Sequence, residues 1–532
     1  AYEIPLRLVG SEMCIRARQE TQAVAPTPVE AAPAAPQKPA ELKPAKQSYH
    51  TLENAQVRLT FSDLGARLVK AELLKYPAAN VEGAPHVTLE TGELLALSWA
   101  DLPAVPTTAT RSGADTLVFR GHVKGAAFVR TVRLGADYAV DVRDAFSADA
   151  PLTLPAHSLS LGALPLSGEK GDALSIDTLA AGERKPVYRE GKLGKVLGAR
   201  SAFLGCGTSS DPTGLPLSAS EAMGAQTWVA LKNRFFTTLT MPGEPLPAHL
   251  IVSRNPTART LEVASVGGTL ERPALTLAPG AAQELTTRLY VGPKELSSLN
   301  AFGAHAGSIM DFGMFAWLCG PLLWVLNLFH GLIPNYGVAI ILLTLLVRVA
   351  FWPLTHKSTV SMRKMSVIQP QIKELQKKFK DQPQKLQQET FKLYREHKVN
   401  PFSSCLPMLV QIPIFIALFT VLRAAVELRF ASFLWISDLS QPENLLAGVL
   451  PVPLNILPIL TAVTMGLQTH LSPSTGDPAQ KKMMTWMMPI MLLFMFYSMP
   501  SALCLYWTVS QALSILQMWH IQRSTAREAK AA

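Results

Sequence analysis

The stretch Ile341 to Ser358 reads ILLTLLVRVAFWPLTHKS and holds an arginine, Arg348, inside an apolar run that ends at Thr355. An arginine near the centre of a membrane span costs about 2.5 to 3.5 kcal/mol, so the guanidinium must snorkel, find a partner or face water. Thr344 lies one helical turn before it and Thr355 seven residues after it, so the spacing predicts one shared face for all three. Other apolar segments repeat the arrangement: Gln411; Thr461, Thr464 and Gln468; Tyr506, Ser510, Ser514 and Gln517. The chemistry available to such a set is binding rather than covalent catalysis. A fixed positive charge among hydroxyls and amides attracts an acidic group, and no Asp or Glu stands in the interior of the spans to neutralise it. Each stripe taken singly is explained equally well as interhelical hydrogen bonding, and Arg348 taken singly by snorkelling. Four stripes around one arginine favour a hydrated cavity open to one side.

The elements that position these residues follow from composition. The 532 residues are 48% hydrophobic and 17% charged, with a mean hydropathy of +0.19, high for a soluble chain and consistent with a membrane protein carrying a soluble part. Residues 21 to 48 are a Pro/Ala-rich linker unable to build a core. Residues 49 to 298 alternate in short strands such as VRLTF, TLVFRGHV and YAVDVRDAF, which predicts a β-sandwich. From Ala301 onward apolar runs dominate and hold seven of the nine tryptophans, as an interfacial aromatic belt requires. Five spans are expected, at about 336 to 355, 405 to 427, 448 to 470, 483 to 499 and 501 to 520, preceded by an interfacial amphipathic helix at 312 to 333. A sixth span at that last place is the alternative.

Charge sets the orientation. Residues 356 to 404 hold eleven Lys/Arg against four acids, whereas residues 428 to 447 hold Arg429 against Asp438 and Glu443. The positive-inside rule puts the basic loop in the cytoplasm, together with the tail 523 to 532, and the β-domain outside. Within that loop Met365, Ile368, Ile372, Leu375 and Phe379 form an apolar seam, and DQPQK turns the chain into a second helix, predicting a helical hairpin over 356 to 400. Its lysines fit ribosomal RNA or anionic lipid, or a solvated face that only enforces topology. The five cysteines are far apart and lack metal spacing, so no disulfide framework and no metal site is expected. No HExxH, GxSxG or Walker A motif is present, which argues against an enzyme, and no cofactor or DNA partner is expected.

The ordered motifs VRVAFWPLTHKSTVSMRKMSVIQPQI, VNPFSSCLPMLVQIPIFIALFTVL, FLWISDL, LSPSTGDP and PSALCLYWTVS closely resemble the bacterial YidC membrane-protein insertases. The likeness covers about Phe312 to Gln522 and extends more loosely over the β-domain. It implies a multi-domain membrane protein: a periplasmic β-supersandwich, then an insertase domain over 334 to 522 of five transmembrane helices with a cytoplasmic hairpin, in the bacterial inner membrane. It further implies an insertase and chaperone that passes hydrophobic segments of nascent membrane proteins from a cytoplasm-facing groove into lipid, alone or with the Sec translocon. The ribosome would engage the hairpin and basic tail, and anionic lipids are further partners. By position, Arg348 matches the family's groove arginine, Tyr506 and Trp507 its aromatic pair, and Ile412 and Pro413 its substrate-contacting stretch. Thr344, Gln411, Gln468 and Ser510 complete the expected groove.

The fourth span, MMTWMMPIMLLFMFYSM, has seven methionines in seventeen residues. Met487, Met491 and Met495 are expected to form an adaptable slide for substrates, ordinary lipid-facing hydrophobicity being the alternative. Residues 1 to 20 contain no run long enough to cross a membrane or act as a signal peptide, so the family's N-terminal anchor is expected to be missing. A transporter or channel with an extracytoplasmic binding domain is the rival reading, but neither a path to both sides nor an inverted repeat is legible. A sugar-binding role for the sandwich stays open.

Overall fold

The computed structural model describes residues 47–102, 104–166, 172–189, 192–198, 215–258, 261–397, 406–471 and 483–531. The expected linker and atypical N-terminus, Cys14, Cys206 and Cys405, and the VNPFSS and SPSTGDP motifs lie outside them.

Period-two burial produces the sandwich. Val57, Leu59 and Phe61 point inward while Arg58 and Thr60 do not, and the same alternation runs through Ala126–Leu134 and Ala139–Ser147. A four-stranded antiparallel sheet takes Tyr49–Glu53, Val57–Ser62, Arg67–Pro77 and His86–Leu94 in sequence order. A thirteen-stranded sheet carries at its middle Leu246–Arg254, Ser218–Lys232, Phe236–Pro242, Ala282–Pro293, Ala139–Ser147 and Ala126–Leu134. One continuous core joins them, including Phe61, Phe119, Phe128, Phe146, Trp228 and Tyr290.

A buried ion triad crosses that core. Arg130 and Asp144 face each other in register on adjacent strands, with Nε to Oδ1 at 2.6 Å, and Arg272 Nη1 meets Asp144 Oδ2 at 3.0 Å. Arg130 Nη1 also donates to the carbonyls of Ala66 and Leu95, tying the flanking loops to the large sheet. Removing one member of such a set leaves an uncompensated buried charge, at a cost of about 3 to 5 kcal/mol.

A short helix, α1 (Leu193–Val196), lies within the sandwich, and α2 (Leu296–Phe302) leads out of it. Eight helices follow: α3 (Ala316–Leu332), α4 (Tyr336–Ala350), α5 (Trp352–Lys378), α6 (Pro383–Glu396), α7 (Leu406–Ala424), α8 (Ile456–Leu471), α9 (Met488–Phe496) and α10 (Ser501–Ala531). Their common core includes Cys319, Leu326, Ile340, Leu343, Leu418, Val421, Phe496, Leu503 and Tyr506. The sandwich is fastened to this bundle through arginines. Arg234 Nε donates to the Arg423 carbonyl at 3.1 Å and its Nη2 to the Ser440 carbonyl at 2.7 Å, a cation at the C-terminal end of α7 where the helix dipole favours one. Arg429 donates to the carbonyl of Pro77 and Asn80 to that of Ser437.

Several helix boundaries differ from those expected of continuous spans. The first span breaks at Phe351, where α4 and α5 meet at 59°, because Pro353 in the opening turn of α5 lacks an amide to continue the ladder. Thr355 therefore does not share a single helical face with Thr344 and Arg348. Helix α8 begins at Ile456 rather than near 448, since Pro451 and Pro453 precede it and the chain there folds back on itself, pairing Leu445 with Leu454. A π-helical turn, Met483–Met487, opens the fourth apolar segment ahead of Pro489. Among the described residues one straight helix, Gly313–Leu332, is long and apolar enough to cross a membrane by itself, or two if the bent pair from Tyr336 to Ser361 counts as one span. The count of five spans is not confirmed. The helix 313 to 332 buries Cys319, Leu322, Leu323 and Leu326 and exposes Trp317, Trp324 and Leu328.

The hairpin forms as its periodicity predicts. Met365, Ile368 and Ile372 of α5 are buried against Leu393 and Tyr394 of α6, while Phe391 is half-exposed. The chain turns over Phe379 to Gln382, with Pro383 starting α6.

Candidate functional site: a polar seam around the last helix

Helix α10 is the centre of the site. Its first turns are buried from Ser501 to Tyr506, and its polar side chains then bond outward to four other helices. Tyr506 Oη accepts from Gln411 Nε2 of α7 at 2.8 Å. Thr508 meets Thr461 of α8, oxygen to oxygen 2.8 Å. Ser510 Oγ accepts from Arg348 Nε of α4 at 3.0 Å and from the same guanidinium's Nη2. Gln517 Nε2 donates to Thr355 Oγ1 of α5 at 3.0 Å. From Tyr506 to Gln517 the seam covers about 16 Å of helix.

At about 100° per residue, Tyr506, Ser510 and Gln517 fall on one face of α10, whereas Thr508 lies about 160° away from Tyr506 and Ser510. The structure thus brings Arg348, Gln411, Tyr506, Ser510, Thr355 and Gln517 to one side. It does not bond the stripe of α8 to Arg348. Thr461 meets α10 from the opposite face, Thr464 returns its hydroxyl to Leu460 and Thr461 of its own helix, and Gln468 is half-buried in the last turn. Thr344 is fully buried and donates to the Ile340 carbonyl at 2.7 Å, so its hydroxyl is consumed within α4.

Arg348 is the strongest electrostatic feature. Its side chain is partly buried, its hydrogen-bond partner is a neutral hydroxyl, and among the described residues no carboxylate lies within ion-pair distance. A serine oxygen can orient a guanidinium but leaves its net charge intact, so the seam retains one uncompensated positive charge. Trp507 sets its ring edge-on to Phe415 at 4.9 Å and tilted against Phe496 at 5.5 Å, and its indole Nε1 is buried without a hydrogen-bond partner among the described residues. Ile412 is exposed on α7 and Pro413 is partly buried inside that helix. Met487, Met491 and Met495 are all exposed, in a strip completed by Trp486, Ile490 and Phe494.

Sequence reasoning missed Thr508 and Gln511. Both belong to the α10 polar arc, Gln511 being buried. The visible signal was the run Thr508, Ser510, Gln511, Ser514, too wide for one stripe and therefore serving more than one neighbour. Also missed was Glu443, whose carboxylate accepts from the amides of Ile456 and Leu457 and from the Trp435 indole at 3.0 Å. It caps α8 from thirteen residues upstream, a distance no local capping signal covers.

An antiparallel β-sandwich fused to a bundle of apolar helices, with one cation held on a hydroxyl at the bundle's centre, defines a helical membrane protein with a large extramembranous domain. Residues 328–528 match the 60Kd inner membrane protein family and residues 209–325 match the YidC periplasmic domain. Both folded parts of the chain thus match models of the YidC family, inner-membrane proteins with a periplasmic domain. Among curated relatives, the Membrane protein insertase YidC of Pelobacter propionicus is 44% identical over 258 residues, 48% of this chain and 47% of that one. That of Geobacter sulfurreducens is 39% identical over 315 residues, 59% and 56% of the two chains. The chain spans about half the length of the curated relatives it matches. A solved structure described as an active YidC insertase with the first transmembrane domain resolved is 20% identical, covering 89% of this chain and 92% of that one, with a TM-score of 0.35.

Proposed function

We propose that this protein is a membrane-protein insertase: the helical domain receives hydrophobic segments of newly made proteins on the side of the basic hairpin and releases them sideways into lipid. The observation that carries the reading is Arg348, a charge inside an apolar bundle paired with a hydroxyl instead of a carboxylate. Holding it there costs about 2.5 to 3.5 kcal/mol on insertion scales, and an acidic stretch of a passing client would recover part of that cost. Ser510 orients the guanidinium, Gln411 and Tyr506 form the next polar rung, and Ile412 with Pro413 offers the apolar contact. No covalent step is required; the transfer is driven by burial of the client's apolar surface in lipid.

The same reading takes five spans with the hairpin and C-terminus in the cytoplasm, from the excess of eleven cations over four acids in residues 356 to 404. Partners are nascent membrane proteins, the Sec translocon, the ribosome at the hairpin and basic tail, and anionic lipids. The relatives' shared name, membrane protein insertase, supports this. Proteoliposome insertion of a single-span client with an acidic exported tail tests it. Arg348→Ala should reduce insertion and Arg348→Lys retain much of it, whereas full activity of the alanine variant refutes the role of the charge.

A further inference from the structure

The segment joining α7 to α8 carries two apolar tips that no function assigned above requires. The first is the turn Phe433 to Ile436, closed by reciprocal backbone hydrogen bonds of 2.9 Å, with Leu434 75% and Trp435 43% exposed. The second is Leu445 to Leu454, closed by the reciprocal pair Leu445 and Leu454 at 2.9 and 2.8 Å, exposing Leu446, Val449, Leu450 and Val452. The Trp435 indole donates to Glu443, which caps α8, so both tips flank the start of that helix.

Three features distinguish these tips from ordinary solvated loops. The first is charge. Residues 430 to 454 contain two ionisable side chains, Asp438 and Glu443, and both are turned inward, Asp438 onto the amides of Phe430 and Ser440 and Glu443 onto α8. The second is backbone satisfaction. The amides of Ala447, Val449 and Leu450 bond within the tip, to Asn444 and Leu446, in addition to the closing pair, which reduces the cost of leaving water. The third is strain. Leu434 and Leu446 occupy the left-handed region at φ 52° and 56°, where glycine or asparagine would sit at less cost, by about 1 to 2 kcal/mol. Retaining leucine there puts a large apolar side chain at each tip. The exposed apolar surface also continues directly onto α8 through Ile459, Leu460 and Val463.

We infer that the two tips form a wedge that inserts into the outer half of the bilayer beside α8, its occupant being lipid acyl chain at the headgroup boundary. Trp435 marks that boundary, its indole N–H satisfied by Glu443 and its apolar ring part-exposed, the amphipathic side chain an interface favours. The wedge would set the depth at which the bundle sits, while Arg429, bonded to the Pro77 carbonyl, and Asn80, bonded to that of Ser437, tie the same segment to the sandwich. This inference rests on the membrane reading above but not on the insertion mechanism.

The test places a genetically encoded fluorescent amino acid at Val449, with Thr257, an exposed sandwich loop residue, as the aqueous control. The full-length protein is reconstituted in phosphatidylethanolamine and phosphatidylglycerol vesicles. Acyl chains brominated near the headgroup should extinguish emission at Val449 while aqueous iodide has little effect, and the order should reverse at Thr257. Leu446→Asp in the Val449-labelled protein should restore iodide access. Iodide quenching at Val449 equal to that at Thr257 overturns the inference, as does shielding from both quenchers, which would mean a protein neighbour. Client insertion measured in the same vesicles separates failure of the wedge from failure of the insertase reading.

Discussion

Gln411 and Tyr506, ninety-five positions apart, are joined by a 2.8 Å hydrogen bond from the amide Nε2 to the phenolic oxygen across the α7–α10 contact. Tyr506 is buried at 1% exposure, so its hydroxyl has little recourse to water. Tyr506→Phe removes the acceptor and keeps the ring, and should cost about 1 kcal/mol. Tyr506→Ala also removes the ring and should cost about 3 to 5 kcal/mol by analogy with large-to-small aromatic substitutions. Thermal unfolding in detergent separates the two. Equal losses would show that the hydroxyl, not the ring, carries the stability.

The methionine strip makes a spatial prediction. Met487, Met491 and Met495 are exposed on one stretch of chain, and unbranched, polarizable side chains repack readily around varied apolar segments. Photo-crosslinkers at these positions should capture stalled nascent chains. If they yield only lipid adducts while Ile412 captures substrate, the contact surface belongs to α7 alone.

Gly337 opens α4 against the turn that holds Phe433. A Cβ built there would lie 2.1 Å from Phe433 Cγ, so the helix approaches the ring as closely as only glycine permits. Gly337→Ala should destabilise by about 1 to 3 kcal/mol through overpacking, seen as a lowered melting temperature, and Phe433→Ala in the same chain should relieve part of that loss. Absence of any rescue would mean that the strain is absorbed elsewhere.

Acid should loosen the sandwich. His157 is 2% exposed and stacked on Trp99 at 4.7 Å, and burial, reinforced by Arg272, depresses its pKa to about 4. The unfolded ring protonates near 6.5. Between these values the unfolded state binds more protons than the folded one, so stability falls as pH drops from about 6.5 to 4, by about 3 kcal/mol in total. Asp144 adds a loss at lower pH. Its burial would raise its pKa, but Arg130 and Arg272 hold it below the usual carboxylate value, so its contribution disappears as pH falls through that depressed value. His157→Phe should keep the stack and flatten the profile between pH 6.5 and 4, as read by peptide-resolved hydrogen exchange in strands 139–147 and 157–165 of the full-length protein. An unchanged slope would assign the acid sensitivity to other groups.

The sequence by itself determined the two kinds of structure in this chain and singled out a set of candidate polar residues, because both are written in local periodicity. Alternation at Val57, Leu59 and Phe61 commits a strand face, the 3–4 spacing of Met365, Ile368 and Ile372 commits a helical seam, and Arg348 stands out against its apolar neighbours without any knowledge of its surroundings. What only the tertiary structure decided is who meets whom. Ser510 rather than an acid receives Arg348, Thr344 turns back on its own helix, Thr461 reaches α10 from the far side, and Phe351 breaks what composition presents as one span. Hydrogen-bond partners are chosen by the rotation and crossing of helices brought together from positions up to 162 residues apart, and that geometry comes from packing whole faces at once. No window along the chain contains it.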